Sequence, residues 1–131
     1  MSDPYDAILP VMVNTYYPPA PSATRCAQFG KAVAAAIRAF PQSRRVVVGS
    51  GGLSHTKIDE GLDADLIRAL TKNDQKFLQT MESSALVEGT SEIRNWIVTA
   101  AAADRPATIV DYPPLYRTPN GVGCAIGFAS W

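Results

Sequence analysis

The only histidine of the chain, His55, follows a run in which an apolar stretch gives way to glycines. The β-branched valines at 46–48 predict a buried strand, because such side chains pack well on a pleated surface. The glycine-rich residues 49–52 allow the backbone to pass close to a ligand. An imidazole in this place could transfer protons or bind a metal. It could equally be a loop histidine that hydrogen-bonds the backbone, so the pattern alone leaves both readings open.

Glu92 is the second residue whose type and position could support chemistry. It falls in the first turn of a predicted helix, where the helix dipole stabilises a carboxylate without any further function. A catalytic or metal-binding role therefore needs a partner, which Glu92 alone does not supply. The other carboxylates that stand close together, at 59–65, do not fit the spacing of a calcium loop and predict a solvated helix start.

Four helices are predicted to surround these residues. Apolar side chains at three- and four-residue steps predict a helix over 26–40, with Ser22 as its N-cap and Pro41 at its end. A second helix is predicted around 62–70, and Asn73 is expected to cap a short third helix. Residues 89–91 open a fourth helix, which residues 104–106 end.

The predicted strands lie at 11–16, 46–48, 108–110 and 124–131, with a turn at Asn120-Gly121. A strand–helix–strand order favours parallel pairing with a right-handed crossover. At 131 residues the chain fits one domain. The sequence therefore predicts a single α/β unit over 1–131, with a mixed or mostly parallel sheet and helices on its faces.

The composition of the chain limits the binding partners and the compartment that are expected. Twelve acidic and twelve basic side chains balance, so neither nucleic acid nor an anionic membrane surface is expected as a partner. The apolar helical stretches are too short to span a bilayer, and the first residues lack the pattern of a signal peptide. Cys26 and Cys124 lie far apart and predict two buried thiols in a reducing compartment. A cytoplasmic location follows as an expectation.

Two motifs together resemble a known family. Residues 51–55 (GGLSH) and 89–96 (GTSEIRNW) are similar to the C-terminal half of class III extradiol ring-cleavage dioxygenases, the LigB-type enzymes typified by the β subunit of protocatechuate 4,5-dioxygenase. Three further stretches, at 14–21, 111–119 and 127–131, are also similar to members of that family. The resemblance covers nearly the whole chain and implies a partial LigB-like fold.

The resemblance also implies an activity and its residues. These enzymes open catecholic rings with O2 on a non-haem Fe(II) that is held by two histidines and one glutamate. By position, His55 matches the acid–base histidine of the family, and Glu92 matches the carboxylate ligand. The implied substrates are a catecholic acid and O2. Candidate residues lining the substrate site are Asn14, Tyr16, Arg94 and Tyr116.

One departure from the family pattern leaves three interpretations. Both iron-binding histidines of the family lie in an N-terminal half that has no counterpart here, and His55 already matches another role. The chain could be part of a longer enzyme, or half of a split enzyme whose partner subunit carries the histidines, or a non-catalytic module for binding or assembly. The first two predict an apolar exposed face where the other half packs, and the third predicts a polar one. The isolated chain is expected to be inactive.

Overall fold

The computed structural model describes residues 8–41 and 45–131 and has a mixed α/β fold, as predicted. None of the helices in these ranges is long and apolar enough to cross a membrane. The helices are α1 (Ala23–Ala39), α2 (Glu60–Lys72), α3 (Gln75–Thr80) and α4 (Ile93–Ala103), with short 3-10 helices at Ser83–Ala85 and Glu88–Thr90. The strands are β1 (His55–Lys57), β2 (Thr108–Asp111), β3 (Pro114–Tyr116), β4 (Val122–Ala125) and β5 (Phe128–Ser130).

The helix ends follow local capping chemistry, with one correction. The Ser22 side chain accepts a hydrogen bond from the Arg25 amide and caps α1, as predicted. Asn73, however, ends α2 in a left-handed conformation with φ 51°, which asparagine tolerates better than most residues. The N-cap of α3 is therefore the next residue, Asp74, whose carboxylate accepts from the Phe77 amide.

The core forms where α1 packs against α4. α3 packs against both of these helices, and α2 packs against α3. Small residues allow the close approach of α1 and α4: a Cβ on Gly30 would stand 2.2 Å from the Val98 carbonyl oxygen. Buried leucines and isoleucines fill the space between the helices and the loops that join them. The largest fully buried apolar side chains of this core are Leu53, Leu66, Leu70, Leu78, Leu86, Ile93 and Ile97.

Strand direction differs from the prediction. In the part of the chain that is described, every strand pair is antiparallel: β1, β4 and β3 form one small sheet, and β2 pairs with β5 in another. The expected last strand, 124–131, is two strands, since Ile126 leaves the ladder and donates its amide to the Pro113 carbonyl. The turn predicted at Asn120-Gly121 is present, and Gly121 has a φ of 86°.

Two predicted strands do not form within the described residues. The runs at 11–16 and 46–48 have no strand partner, and Val46 and Val48 are 86% and 82% exposed rather than buried. The second run instead leads into a segment held by side chains of α4: Asn95 donates to the Ser50 carbonyl, and the Trp96 indole donates to the Gly51 carbonyl.

The cysteines also depart in part from expectation. Cys26 is buried in the core, as predicted, and burial raises the pKa of its thiol. Cys124 is exposed, because β4 presents alternate side chains to opposite faces and Ala125 takes the buried position beside it.

Candidate functional site

Glu92 is held at the start of α4, next to the glycine segment. Its Oε2 accepts a hydrogen bond from the Gly52 amide at 2.6 Å. The side chain is half-buried, and it occupies the N-cap position without capping the helix itself. The carboxylate is therefore directed away from its own helix and toward the backbone that leads to His55.

Gly52 brings Glu92 and His55 together. A Cβ at Gly52 would lie 3.2 Å from His55 Nδ1 and 3.6 Å from Glu92 Oε2, so both polar groups border the same point. The imidazole is half-buried, and its Nδ1 lies 3.1 Å from the Leu53 carbonyl oxygen. A carbonyl only accepts, so this bond requires the proton on Nδ1 and leaves the Nε2 lone pair free in the neutral ring. The arrangement can accept a proton at Nε2.

The backbone around His55 is tightly constrained. A Cβ on Gly89 would stand 1.6 Å from the His55 carbonyl oxygen, so the 3-10 helix Glu88–Thr90 lies directly against β1. The neighbouring Thr56 has a φ of 68° and Glu88 a φ of 47°. Positive φ is costly for a β-branched residue, and such conformations persist only where the surrounding structure enforces them. The backbone of His55 is thus held in place by the 3-10 helix Glu88–Thr90.

Two cavities adjoin this pair. The larger, of about 1020 Å³, lies between residues 45–52, α4 and β5, and Glu92 is part of its wall. The smaller, of about 480 Å³, is bordered by residues 55–60 and 87–90, and His55 is part of its wall. Glu92 and His55 therefore line different cavities, on either side of Gly52.

A buried carboxylate binds the residue that precedes His55 and was missed in the sequence. Asp63 has no solvent exposure, so the prediction of a solvated acidic stretch is wrong at this position. Its Oδ1 accepts from the Ser54 amide at 2.9 Å, and its Oδ2 accepts from the Ser54 hydroxyl at 2.6 Å and from the Tyr112 hydroxyl at 2.8 Å. The helical period indicated that Asp63 is buried, because Asp63 stands three and seven residues before the buried Leu66 and Leu70.

Two tyrosines are hydrogen-bonded to acidic residues near this site. Burial, followed by the hydrogen bond to Asp63, raises the pKa of Tyr112 far above its usual range, so the phenol remains a donor. The hydroxyl of Tyr116 donates to Glu60, and this bond raises the pKa of Tyr116. Glu60 borders the smaller cavity, so Tyr116 lies near the space that His55 faces.

Arg94 makes its contacts inside the protein. The residue is 4% exposed, and burial lowers the pKa of its guanidinium. The group donates to backbone carbonyls of four separate positions, so its donors hold the chain together. These carbonyls belong to Thr15, Pro21, Leu86 and Ser91.

The remaining two candidates lie on the segment after residue 11. Asn14 donates its side-chain amide to the carbonyls of Tyr17 and Pro19 and so organises a turn. Tyr16 is exposed and stacks edge-to-face on Tyr17, with ring centroids 4.9 Å apart. Of the two described cavities, neither is bordered by Asn14 or Tyr16. A substrate contact by either residue stays a prediction.

The residues that the structure describes do not form a complete metal site. Within 8–41 and 45–131 no group of three histidine, cysteine, aspartate or glutamate side chains could hold a metal ion. The sequence has a single histidine, so one copy of the chain cannot provide two histidine ligands. Glu92 with its neighbour His55 can supply one carboxylate and one imidazole to this region.

Comparison with protein families shows to which family the chain belongs. The family described as the catalytic LigB subunit of aromatic ring-opening dioxygenase matches residues 1–113. Since this match covers most of the 131 residues, the chain belongs to the LigB family. The match extends over both His55 and Glu92 and ends between β2 and β3. Aromatic ring-opening dioxygenase chemistry is thus the activity associated with the family.

Proposed function

We propose that residues 1–131 are the C-terminal half of the catalytic domain of a class III extradiol dioxygenase. Its reaction is the opening of a catecholic acid by O2 with non-haem Fe(II). The observation that carries this proposal is the meeting of His55 and Glu92 at Gly52, because these are the two residues that match functional positions of the family. Membership in the LigB family supports the reaction class.

The two side chains have separate roles in this proposal. Glu92 is the carboxylate ligand, and its second oxygen is available while Oε2 holds the Gly52 amide. The free Nε2 of His55 accepts the proton of a substrate hydroxyl and can return it later, as a general acid–base group does. Iron, when bound, would supply the oxygen chemistry. The chain alone lacks the histidine ligands, so its own contribution is one ligand and one proton carrier.

The larger cavity is where we place the complementary half. The segments of β1 and β4 remain paired as far as the bond from the Leu53 amide to the Ala125 carbonyl, and within the described residues no backbone hydrogen bond joins them beyond it. The gap between residues 46–52 and β5 is bordered by exposed apolar side chains. Exposed apolar surface of this kind is typical of a face that another segment covers. It supports the two interpretations with a missing half over a non-catalytic module with a polar surface.

A strand added in the gap would lie between residues 46–52 and β5. An inserted strand would also bury the valines at 46 and 48, which the sequence pattern marks as core residues.

An anaerobic Fe(II) titration tests the proposal. The purified chain is expected to bind iron weakly on its own. Together with a LigB-family N-terminal half that carries two histidines, it is expected to bind one equivalent and to consume O2 with protocatechuate. Glu92→Ala should weaken iron binding by at least about tenfold. Asp65→Asn is the matched control, because that carboxylate is exposed and pairs with Arg68 on the surface of α2.

Two results would contradict the proposal, and a third would revise it. Iron binding by the assembled pair that is equal in the wild type and in Glu92→Ala would remove Glu92 as a ligand. Assembly without any O2 uptake, with iron bound, would favour a LigB-like binding or assembly module. Tight stoichiometric binding by the chain alone, lost in Glu92→Ala, would instead indicate a site formed across two copies of the chain.

A further inference from the structure

One peptide group connects the buried Asp63 to His55. The Ser54 amide donates to Asp63 Oδ1 at 2.9 Å. The carbonyl at the other end of the same peptide unit, Leu53 O, lies 3.1 Å from His55 Nδ1 and accepts its proton. A carboxylate, a peptide group and an imidazole therefore form one continuous chain of hydrogen bonds. Neither the family pattern at 51–55 nor the acidic stretch at 59–65 indicated this connection.

We propose that Asp63 is a positioning residue that fixes the tautomer and orientation of His55 through the Leu53–Ser54 peptide. Hydrogen bonds at the two ends of a peptide group polarise each other and are cooperative. A carboxylate on the amide side makes the carbonyl a stronger acceptor, which favours the imidazole form with hydrogen on Nδ1. The Nε2 lone pair is then kept for proton transfer. The catalytic meaning of this inference rests on the proposed function of His55.

The second carboxylate oxygen holds Asp63 itself in place. Oδ2 accepts from the Ser54 hydroxyl at 2.6 Å and from Tyr112 at 2.8 Å. The Ser54 hydroxyl in turn accepts from the Asp59 amide at 2.8 Å, which fixes its direction. With three donors the buried carboxylate is well solvated by the protein. The orientation of the Asp63 carboxylate toward the Ser54 amide is thus determined by its contacts with Ser54 and Tyr112.

The single histidine makes a direct test possible. In the 131-residue chain labelled with ¹⁵N-histidine, the two ring nitrogen shifts report the tautomer at a pH where the ring is neutral. The wild type is expected to hold the hydrogen on Nδ1. Asp63→Asn keeps the shape but removes the charge, and the ratio of the Nδ1–H to the Nε2–H form should fall on the order of two- to tenfold.

Two control variants separate positioning from general stability. Asp65→Asn removes an exposed charge from the same helix and should leave the ratio unchanged. Tyr112→Phe removes one donor to Oδ2 but leaves the bond between Asp63 and the Ser54 amide, so it should lower thermal stability with a smaller change in the ratio. A role of Asp63 in stability alone would lower the melting temperature and leave the tautomer ratio unchanged.

Two outcomes would overturn the inference. The first is an unchanged tautomer ratio in a folded Asp63→Asn protein. The second is a wild-type histidine with its hydrogen on Nε2, and this measurement decides the question even if the variant does not fold. No iron is used in either experiment. A tautomer that responds to Asp63, together with iron binding by the assembled pair that does not depend on Glu92, would leave the positioning role intact and remove the proposed function.

Discussion

Replacement of Arg94 by methionine is expected to remove a large part of the stability of the fold. The guanidinium is 4% exposed and joins segments that are far apart in sequence. Its Nε donates to the Pro21 carbonyl at 2.7 Å, and its Nη1 donates to the Thr15 carbonyl at 3.1 Å and to the Leu86 carbonyl at 2.5 Å. Methionine keeps much of the apolar stem but offers no donor.

The magnitude follows from two opposing contributions. A hydrogen bond to a charged group contributes about 1.5–3 kcal/mol, and unpaired buried carbonyls would be left behind in the variant. Against this, methionine removes the desolvation cost of the guanidinium, the same burial that lowers the pKa of Arg94. We expect a net loss of about 3–4 kcal/mol in the free energy of unfolding, a large share of the total for a domain. Arg94→Lys should recover only part, because its point charge cannot reproduce the fork of donors.

Urea unfolding followed by tryptophan fluorescence measures this loss. Arg68→Met is the matched control: its side chain is 57% exposed and pairs with Asp65 one turn away, so a change within about 0.5 kcal/mol is expected. A loss below about 1 kcal/mol for Arg94→Met would refute the structural role. The guanidinium would then be free to serve as the substrate contact that the family resemblance suggested.

Three further predictions concern separate parts of the site and core. Because the pKa of Tyr112 is raised from 10.0 by burial and Asp63, the wild type should lose up to about 1.4 kcal/mol of stability per pH unit above about pH 10, where only the unfolded tyrosine ionises. Tyr112→Phe should remove that slope in alkaline denaturation, and equal slopes would contradict it. Gly89→Ala should destabilise by more than about 2 kcal/mol in thermal unfolding, since its Cβ would stand 1.6 Å from a carbonyl oxygen of β1, whereas Gly61→Ala has ordinary contacts and should stabilise α2 by about 0.5 kcal/mol. An aromatic disulfide reagent should react with the exposed Cys124 and spare Cys26, whose thiol pKa is raised by burial, and reaction at both thiols in the native protein would contradict this.

The helices could be predicted from the sequence because their signals are local. A period of three to four residues and a capping side chain act within one element, so α1 was predicted with its N-cap at Ser22. Strands depend on partners far away in sequence, and no local pattern states which partner is present. The valine run at 46–48 therefore has the composition of a buried strand but no neighbour in the described chain to pair with. The last strand was placed correctly in part and is broken where Ile126 bonds elsewhere.

Some residues of the candidate site could be predicted from the sequence, and others could not. His55 and Glu92 could be named from the motifs they share with a family, and the structure adds that Gly52 brings them together. Asp63 was missed because acidic residues near a helix start are usually solvated, although its place on the apolar stripe of α2 indicated burial. The contacts of Arg94 with four carbonyls could not be predicted, since they depend on how distant segments meet in space.

The exposed valines and the incomplete ligand set have one explanation if the complementary half inserts beside them. A natural sequence is expected to be consistent at all levels, so under the proposed function a further segment would bury the valine run that is left in solvent. The same gap has Glu92 in its wall. Docking of that segment and iron binding would then be coupled, because the complementary half would supply the two histidine ligands and this chain would supply Glu92. By reciprocity, iron should raise the affinity between the two halves by the same factor by which the docked half raises the affinity for iron.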